Sequence, residues 1–409
     1  MLRIRGFGSS EQGGRQGRAW SRQLALGVAA LAVTLGAVAC GGGGDDGDSD
    51  GRFRISLIQS YSGNDWQNAS ANLVKALAQT PPYDELVELD HQIAGTDPQR
   101  QSQLMAEAIS AGADALVIYP INPTALNSVV KDACDQDVIV VTYDSWVTEP
   151  CAYNVHNDPL EMGRQRAEWL AEHLDGEGKI AEIIGVAGTT FDSLHQQGVD
   201  EALEEYPNIQ LVAREEGFWS QPGARDAIQK LVAAHPDLDG YIAQVGCWGS
   251  WEQLISLGRQ PLPCAGDTAN GHLLMMLPEG TESSSRGLPS IAVSETTFTG
   301  ALAFMQAVKL LEGEERCHET MVPPIVYRNE DLKVGDDPTQ VGTVYGAQHV
   351  PTVPSGFFVN FYSPLVGQGI NASLAGIPDQ LHEPEASELV AGDETPDGVA
   401  DQQDACMVP

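Results

Sequence analysis

Strand and helix patterns alternate along this chain from Phe53 to Tyr327, and that alternation restricts the fold more than any other feature. The clearest strand is Val138 to Tyr143. It is continuously apolar and β-branched, as in a parallel sheet covered on both faces. Before it, the pattern predicts strands at Phe53 to Gln59, Leu86 to His91 and Ala115 to Tyr119. Helices are expected at Trp66 to Ala78, Pro98 to Ser110 and Pro123 to Ala133. Asp97 is placed to cap the second of these, with Pro98 in its first position. After it, helices are expected at Pro159 to Leu174, Ser193 to Glu204, Ala224 to Ala234, Trp248 to Leu257, Leu273 to Leu277 and Gly300 to Leu311. They separate strands at Ile180 to Ile184, Ile209 to Ala213, Gly240 to Gln244, Leu262 to Ala265, Ile291 to Ser294 and Val322 to Tyr327. This is an α/β architecture with parallel sheets. The strands are too many for one small sheet, so two doubly wound lobes are expected. After Tyr327 the periodicity fades, and residues 329–409 read as an acidic extension.

The N-terminus is basic, with Arg3, Arg5, Arg15, Arg18 and Arg22. An apolar run from Leu24 to Val38 follows, ending at Ala39-Cys40 and four glycines. This is the layout of a signal peptide over residues 1–39. The run is too short and Gly-rich for a permanent span of about 20 residues. Cys40 after small residues resembles a bacterial lipobox, whose cysteine carries the lipid once the chain is cut before it. Ala37 stands where that signal usually has Leu. The alternative is plain secretion with Cys40 as an ordinary residue. Residues 40–51 then form a flexible tether. Asp46, Asp48 and Asp50 open a calcium-loop pattern there, but the twelfth position is Leu57 instead of Glu, so a solvated linker is the better account.

Seven cysteines are present, and setting Cys40 aside leaves an even six, suited to an oxidising compartment. No Cys-x-x-Cys hairpin occurs, so no metal site is expected. A formal net charge of -35 disfavours nucleic acid, which needs a basic face, and favours a soluble monomer.

Several stretches, in order from Arg52 to Tyr327, resemble the periplasmic sugar-binding proteins of the ribose-binding type. They include Thr96-Asp97-Pro98-Gln99-Arg100-Gln101, Ala108 to Pro120, Val138 to Asp144, Gly185 to Thr190, Ala234 to Gly240 and Ala265-Gly266-Asp267. The resemblance implies the type I periplasmic binding protein fold, two lobes joined by a three-segment hinge. Residues 52–156 plus 297–328 would form the N-terminal lobe and 157–296 the C-terminal lobe. Crossings are expected near Asn157, near Glu295 and just after Tyr327. Cytoplasmic repressors share this fold, but their DNA-binding headpiece is absent here.

The resemblance also implies a ligand site at the carboxyl ends of the strands. Ser60, Asn64 and Trp66 follow the first strand, where the family has a polar residue, an Asn and a stacking Phe. Asp144 matches the family Asp that takes two sugar hydroxyls. Phe218 and Trp219 fall near the second aromatic wall, and Asp267 matches a second sheet-end Asp. Gln244 stands in a partly kept motif, and Glu295 where the family often has Gln. Aromatic faces for C–H groups, with carboxylates and amides for hydroxyls, are what a sugar needs. Asp144 and Asp267 could equally be caps or turn residues. Trp146, Trp248 and Trp251 could be further wall or core. The pattern also departs from the family. Ser145 replaces an Arg, the Arg of the loop Thr189 to His195 is lost, and Val245-Gly246 replaces an Asn-Asp pair. The usual ribose pocket is therefore not preserved.

By this resemblance the chain is a lipid-anchored, extracytoplasmic solute-binding protein. It would capture a small polar ligand, a sugar or polyol, and deliver it to the permease of an ABC importer. A receptor for a membrane sensor kinase or chemoreceptor would share fold and pocket. An enzyme is disfavoured. Two carboxylates could work on a glycoside, but no Gly-x-Ser-x-Gly, His-Glu-x-x-His or phosphate-loop Lys is present. No cofactor is implied.

Topology orders the cysteines. Cys134 and Cys151 each stand just before a strand, Val138 to Tyr143 and Ala152 to His156. If these strands are parallel neighbours, about 4.8 Å apart, the two cysteines lie within disulfide reach. Cys247 follows the Gly240 to Gln244 strand and Cys264 lies within the next, a second plausible pair, and Cys317 and Cys406 remain to pair with each other, the alternative being a free Cys406.

Overall fold

The structure, a computed structural model, describes residues 51–79, 81–294 and 297–334, with short strands at 343–344, 390–391 and 405–407. The chain divides into two units, Met1–Ser49 and Asp50–Pro409. The first contains the expected signal segment and Cys40 and lies outside the described residues. Most of the expected acidic extension lies outside them as well.

The second unit contains two large sheets. The first is built from β1 (Phe53–Gln59), β2 (Val87–Ile93), β3 (Ala115–Tyr119), β4 (Ile139–Asp144), β5 (Tyr153–Asn157) and β11 (Glu319–Val322). Its helices are α1 (Asp65–Ala78), α2 (Tyr83–Leu86), α3 (Pro98–Ser110), α4 (Asn127–Cys134) and α10 (Thr299–Leu311). The second sheet contains β6 (Glu177–Ile184), β7 (Asn208–Glu216), β8 (Gly240–Ala243), β9 (Cys264–Gly266), β10 (Ser290–Ser294) and β12 (Ile325–Arg328). Its helices are α5 (Pro159–His173), α6 (Thr190–Leu203), α7 (Gln221–Ala234), α8 (Cys247–Ser256) and α9 (Asn270–Met276). Two further strands, β13 (Lys333–Val334) and β14 (Thr343–Val344), pair with each other.

The strand orders are β15-β16-β11-β5-β4-β3-β1-β2 and β12-β10-β9-β8-β6-β7, where β15 is Val390–Ala391 and β16 is Ala405–Met407. Pairing is parallel except for the edge pairs β15–β16 and β10–β12. The central strands are apolar and buried throughout, as in β3 and β8, because helices cover both faces. The expected α/β fold with two doubly wound lobes is therefore present.

A local signal predicted the start of α3. Asp97 caps α3, its Oδ1 accepting from the Gln99 amide at 2.9 Å, with Pro98 in the first turn. Helix α6 begins three residues before the expected Ser193, because Thr189 caps it.

One expectation is corrected. Val322 to Tyr327 is two strands, not one. Pro323 and Pro324 lack the amide hydrogens a ladder needs, so β11 stops at Val322. β11 pairs with β5 in the first sheet and β12 with β10 in the second. The third crossing therefore lies at residues 323–324, not after Tyr327, and residues 325–328 join the second sheet.

Disulfides join Cys134 to Cys151 and Cys247 to Cys264, with Cα separations of 6.4 and 6.0 Å. The first rests on the parallel pairing of β4 with β5 that its spacing presumed. Cys317 is also disulfide-bonded. The side chain of Cys406 lies outside the described residues, although β16 runs beside β11 with Cys406 opposite Thr320. Among the described residues no helix is long and apolar enough to cross a membrane. None of their His, Cys, Asp and Glu clusters could hold a metal ion.

Candidate functional site

In parallel sheets the loops after the strands collect at one edge, where ligands bind in α/β folds. A direct contact shows that these edges of the two sheets face each other. The hydroxyl of Tyr61, in the loop after β1, donates to the carbonyl of Phe218, in the loop after β7, at 3.4 Å. The loops after β1 and β7 therefore meet across the two sheets, and the expected site residues lie at the ends of β1 and β4 in the first sheet and of β7, β8 and β9 in the second.

On the first side, β4 ends at Asp144, which is 4% exposed and has φ 65°. The Ser145 amide donates back to the Tyr143 carbonyl at 2.7 Å, closing a three-residue turn around Asp144. Left-handed backbone at a non-glycine residue costs energy and gathers at functional sites. The turn swings the Asp144 carboxylate toward β5, where Asn157 Nδ2 donates to it at 2.9 Å. Asn157 ends β5 and begins the first crossing, so the carboxylate is tied to the hinge. Behind it, Asn154 donates to Glu319 at 2.6 Å, and the His156 imidazole lies 3.3 Å from the same carboxylate.

Of the residues expected after β1, Ser60 is fully buried with its hydroxyl unpartnered. Asn64 caps α1, its side-chain oxygen accepting from the Gln67 amide at 2.8 Å. Trp66 lies in the apolar core of the lobe.

On the second side, Phe218 and Trp219 both have positive φ, 54° and 48°. Two such residues in sequence reverse the chain sharply, leaving Phe218 47% exposed while Trp219 is buried. The Trp219 ring is fixed from several directions. Its Nε1–H donates to Gln244 Oε1 at 2.7 Å, and Phe191 meets it edge-on with centroids 5.9 Å apart. A Cβ on Gly185 would collide with the indole, so glycine is required there. The other end of Gln244 donates to Asp192 Oδ1 at 2.8 Å, and that oxygen also accepts from the Gly185 amide at 2.9 Å. Gln244, expected as a direct ligand contact, thus has both ends of its amide engaged in holding Trp219.

Asp267 follows β9 and is buried. Its two oxygens accept from the amides of Gly246 at 2.6 Å and Ala269 at 2.7 Å. A carboxylate offers about four acceptor sites, so these bonds leave room for hydroxyl donors. Gly246 has φ 119°, which glycine adopts freely, and Cys247 follows it directly in the disulfide to Cys264. Glu295 lies outside the described residues.

Of the three extra tryptophans, Trp251 is core, donating to the Leu262 carbonyl at 2.8 Å. Trp146 packs on His156 with centroids 5.1 Å apart, and Trp248 packs partly buried against the core.

Beneath this floor lies a buried polar network. His195 donates from Nδ1 to Glu182 at 3.0 Å and accepts at Nε2 from Arg166 at 2.9 Å. This arrangement requires a neutral imidazole. Burial and the Arg166 charge hold the His195 pKa below its ordinary value. Burial alone would push Glu182 up, but hydrogen bonds from His195 and Arg214 and the Arg214 charge outweigh it and hold that carboxyl low. Arg166 also donates to the Val293 carbonyl, one residue before the end of β10, and so fixes the strand that leads into the second crossing.

Sequence reasoning did not single out Tyr61, Asn157 or Asp192. The one local signal was for Asp192, which stands three residues after the cap Thr189, where a carboxylate often returns to the cap. Here it turns to Gly185 and Gln244 instead.

Comparison with known proteins agrees with this geometry. The profile of the periplasmic binding protein domain matches residues 55–315. A xylitol-binding protein of Mycolicibacterium smegmatis is 26% identical over 58% of this chain and 68% of its own length. A D-apiose import binding protein of Paraburkholderia graminis is 24% identical over 46% of this chain and 60% of its own, so the chain spans under two thirds of that relative. The ribose import binding protein of Bacillus subtilis is 24% identical over 57% and 74%. Among solved structures, an ABC transporter solute-binding protein from Mycobacterium smegmatis with bound glycerol aligns with TM-score 0.60. It has 25% identity and covers 69% of this chain and 96% of its own. One from Thermobispora bispora aligns with TM-score 0.61 at 23% identity, covering 68% and 86%. With a cleft between two parallel sheets and a family profile over most of the described residues, the chain belongs to the periplasmic binding protein family.

Proposed function

We propose that this chain captures a sugar or polyol of monosaccharide size between its lobes, outside the cytoplasm, and delivers it to the permease of an ABC importer. The observation that supports this reading is a buried carboxylate at a strand end of each sheet, Asp144 in the first and Asp267 in the second, together with an indole held in place by Gln244 in the second. Carboxylates orient hydroxyls strongly, and an aromatic face accepts the C–H side of a sugar ring. The named ligands of the relatives, xylitol, D-apiose and ribose, support the same class.

In this reading the first lobe comprises residues 52–156 and 297–322, and the second 157–296 and 323–328. Asp144, Asp267, Trp219, Phe218, Ser60 and Asn64 contact the ligand, Trp66 supports the first lobe from its core, Gln244 acts through Trp219, and Glu295 is a further candidate contact. Each lobe supplies half of the contacts, so binding closes the hinge. Cys40 carries a lipid anchor, and residues 41–51 hold the monomer off the membrane.

A thermal-shift screen against pentoses, hexoses, polyols and amino acids, followed by calorimetry, tests the ligand class. Sugars or polyols should stabilise the protein. Stabilisation by amino acids alone would overturn the class. Cys40→Ala should release the exported protein from the membrane fraction, and unchanged retention would remove the anchor.

A further inference from the structure

The contact that joins the two sides of the cleft comes from a residue outside the sheet-end set just described. Tyr61 Oη donates to the Phe218 carbonyl, and the Tyr61 ring lies 6.5 Å from that of Trp219, inclined by 60°. Burial raises the Tyr61 pKa, keeping the phenol protonated and able to donate. The sequence around Tyr61 is shaped for this reach. A Cβ on Gly63 would run into the Tyr61 hydroxyl and the ring carbons beside it, so the side chain folds over a glycine on its way to the other lobe. On the far side, the turn with two positive φ values points the Phe218 carbonyl outward and the Trp219 ring inward.

We infer that Tyr61 is a positioning residue that clasps the lobes together and steadies the Trp219 wall. It rests on the proposed capture between lobes and adds how the captured state is held. Asp144 and Asp267 belong to different lobes, so their joint hold on a ligand depends on the distance between the lobes. The clasp fixes that distance at one rim through groups of the protein itself. Its effect therefore falls first on escape of the ligand, which requires the clasp to open, and any change in association is a quickening, as the open fraction grows.

The test uses the full exported chain with D-ribose and xylitol as probes, in stopped-flow kinetics. Tyr61→Phe removes only the donor and should raise the dissociation rate about two- to tenfold, the range of one neutral hydrogen bond, without slowing association. Tyr61→Ala should raise it further. Gly63→Ala, whose methyl takes the space of the phenol, should reproduce the Tyr61→Ala effect and add nothing to it in the double variant. An unchanged dissociation rate in Tyr61→Ala, or full additivity with Gly63→Ala, overturns the clasp. Small-angle scattering of the protein alone is the second arm. Tyr61→Ala should have a larger radius of gyration than the parent, and identical curves count against the clasp. If neither probe binds the parent protein, scattering alone decides the clasp, and the ligand class is decided separately by the thermal-shift screen.

Discussion

The two lobes carry disulfides of equal span in opposite places. Cys134–Cys151 and Cys247–Cys264 each separate their partners by 17 positions. The first sits before β4 and β5, at the amino edge of its sheet and away from the cleft. The second starts at the first residue of α8, next to Gly246, whose amide binds Asp267. Loop-closure entropy depends on span, so the two should stabilise the fold alike. Only the second also holds the turn whose amide binds Asp267. The buried glutamates differ in a similar way. Glu319 in the first lobe bridges Asn154 and His156, whereas Glu182 in the second bridges His195 and Arg214, with Arg166 just beyond. The cleft is thus assembled from one lobe that ties its carboxylate to the hinge and another that supports a wall from below.

The largest effect is expected at Glu182. Glu182→Ala leaves Arg214 and the His195–Arg166 pair without their buried anion and should cost about 3–5 kcal/mol in urea denaturation. Glu319→Ala, which strips a partner from Asn154 and His156 and not from an arginine, should cost less. Equal losses would show that the arginines do not distinguish the lobes.

The disulfides come next. Replacing either pair by alanines should lower stability by about 3 kcal/mol. Ligand affinity should stay unchanged without Cys134–Cys151 and fall without Cys247–Cys264. Equal affinity in both variants would separate the second disulfide from the site.

The carboxylates follow. Asp144→Ala should weaken binding by about 2–3 kcal/mol in calorimetry, because it strips a charged acceptor from buried hydroxyls. Asp267→Ala should weaken binding and also lower the melting temperature, since two buried backbone amides lose their acceptor. Unchanged affinity in either variant removes that residue from the site.

The smallest effect is on pH. His195 has its folded-state pKa held below the unfolded value of about 6.5. Its stabilisation is therefore present above that value and is lost as pH falls toward the folded pKa, because the unfolded state then binds the extra proton. His91 in the first lobe, half-buried, is lowered to about 4 by burial and by Lys75, so it acts with the same sign between about 6.5 and about 4. Urea midpoints should fall between pH 7 and pH 5, and less steeply in His195→Gln than in the parent. An unaltered slope in that variant would mean that His195 is not the group being titrated.

The sequence by itself determined what depends on neighbours a few residues apart. Apolar periodicity marked β3, β4 and α3, and Asp97 with Pro98 marked where a helix begins. The bond between Cys134 and Cys151 followed from the positions of both cysteines just before strands, once those strands were presumed to be parallel neighbours. The same local reasoning placed Asp144 and Asp267 at the ends of strands, though not the bonds that hold them.

Only the tertiary structure decided the contacts between distant positions. Tyr61 meets Phe218 across 157 residues, and Gln244 meets Asp192 across 52. Neither pairing leaves a periodic trace, because each depends on how separate strands and loops are brought together. The split at Pro323-Pro324 shows the same limit. The prolines were visible in the sequence, but an apolar, β-branched run across them reads as one strand. Which sheet each half joins is decided by the hydrogen-bonding edge it meets, β5 for one half and β10 for the other.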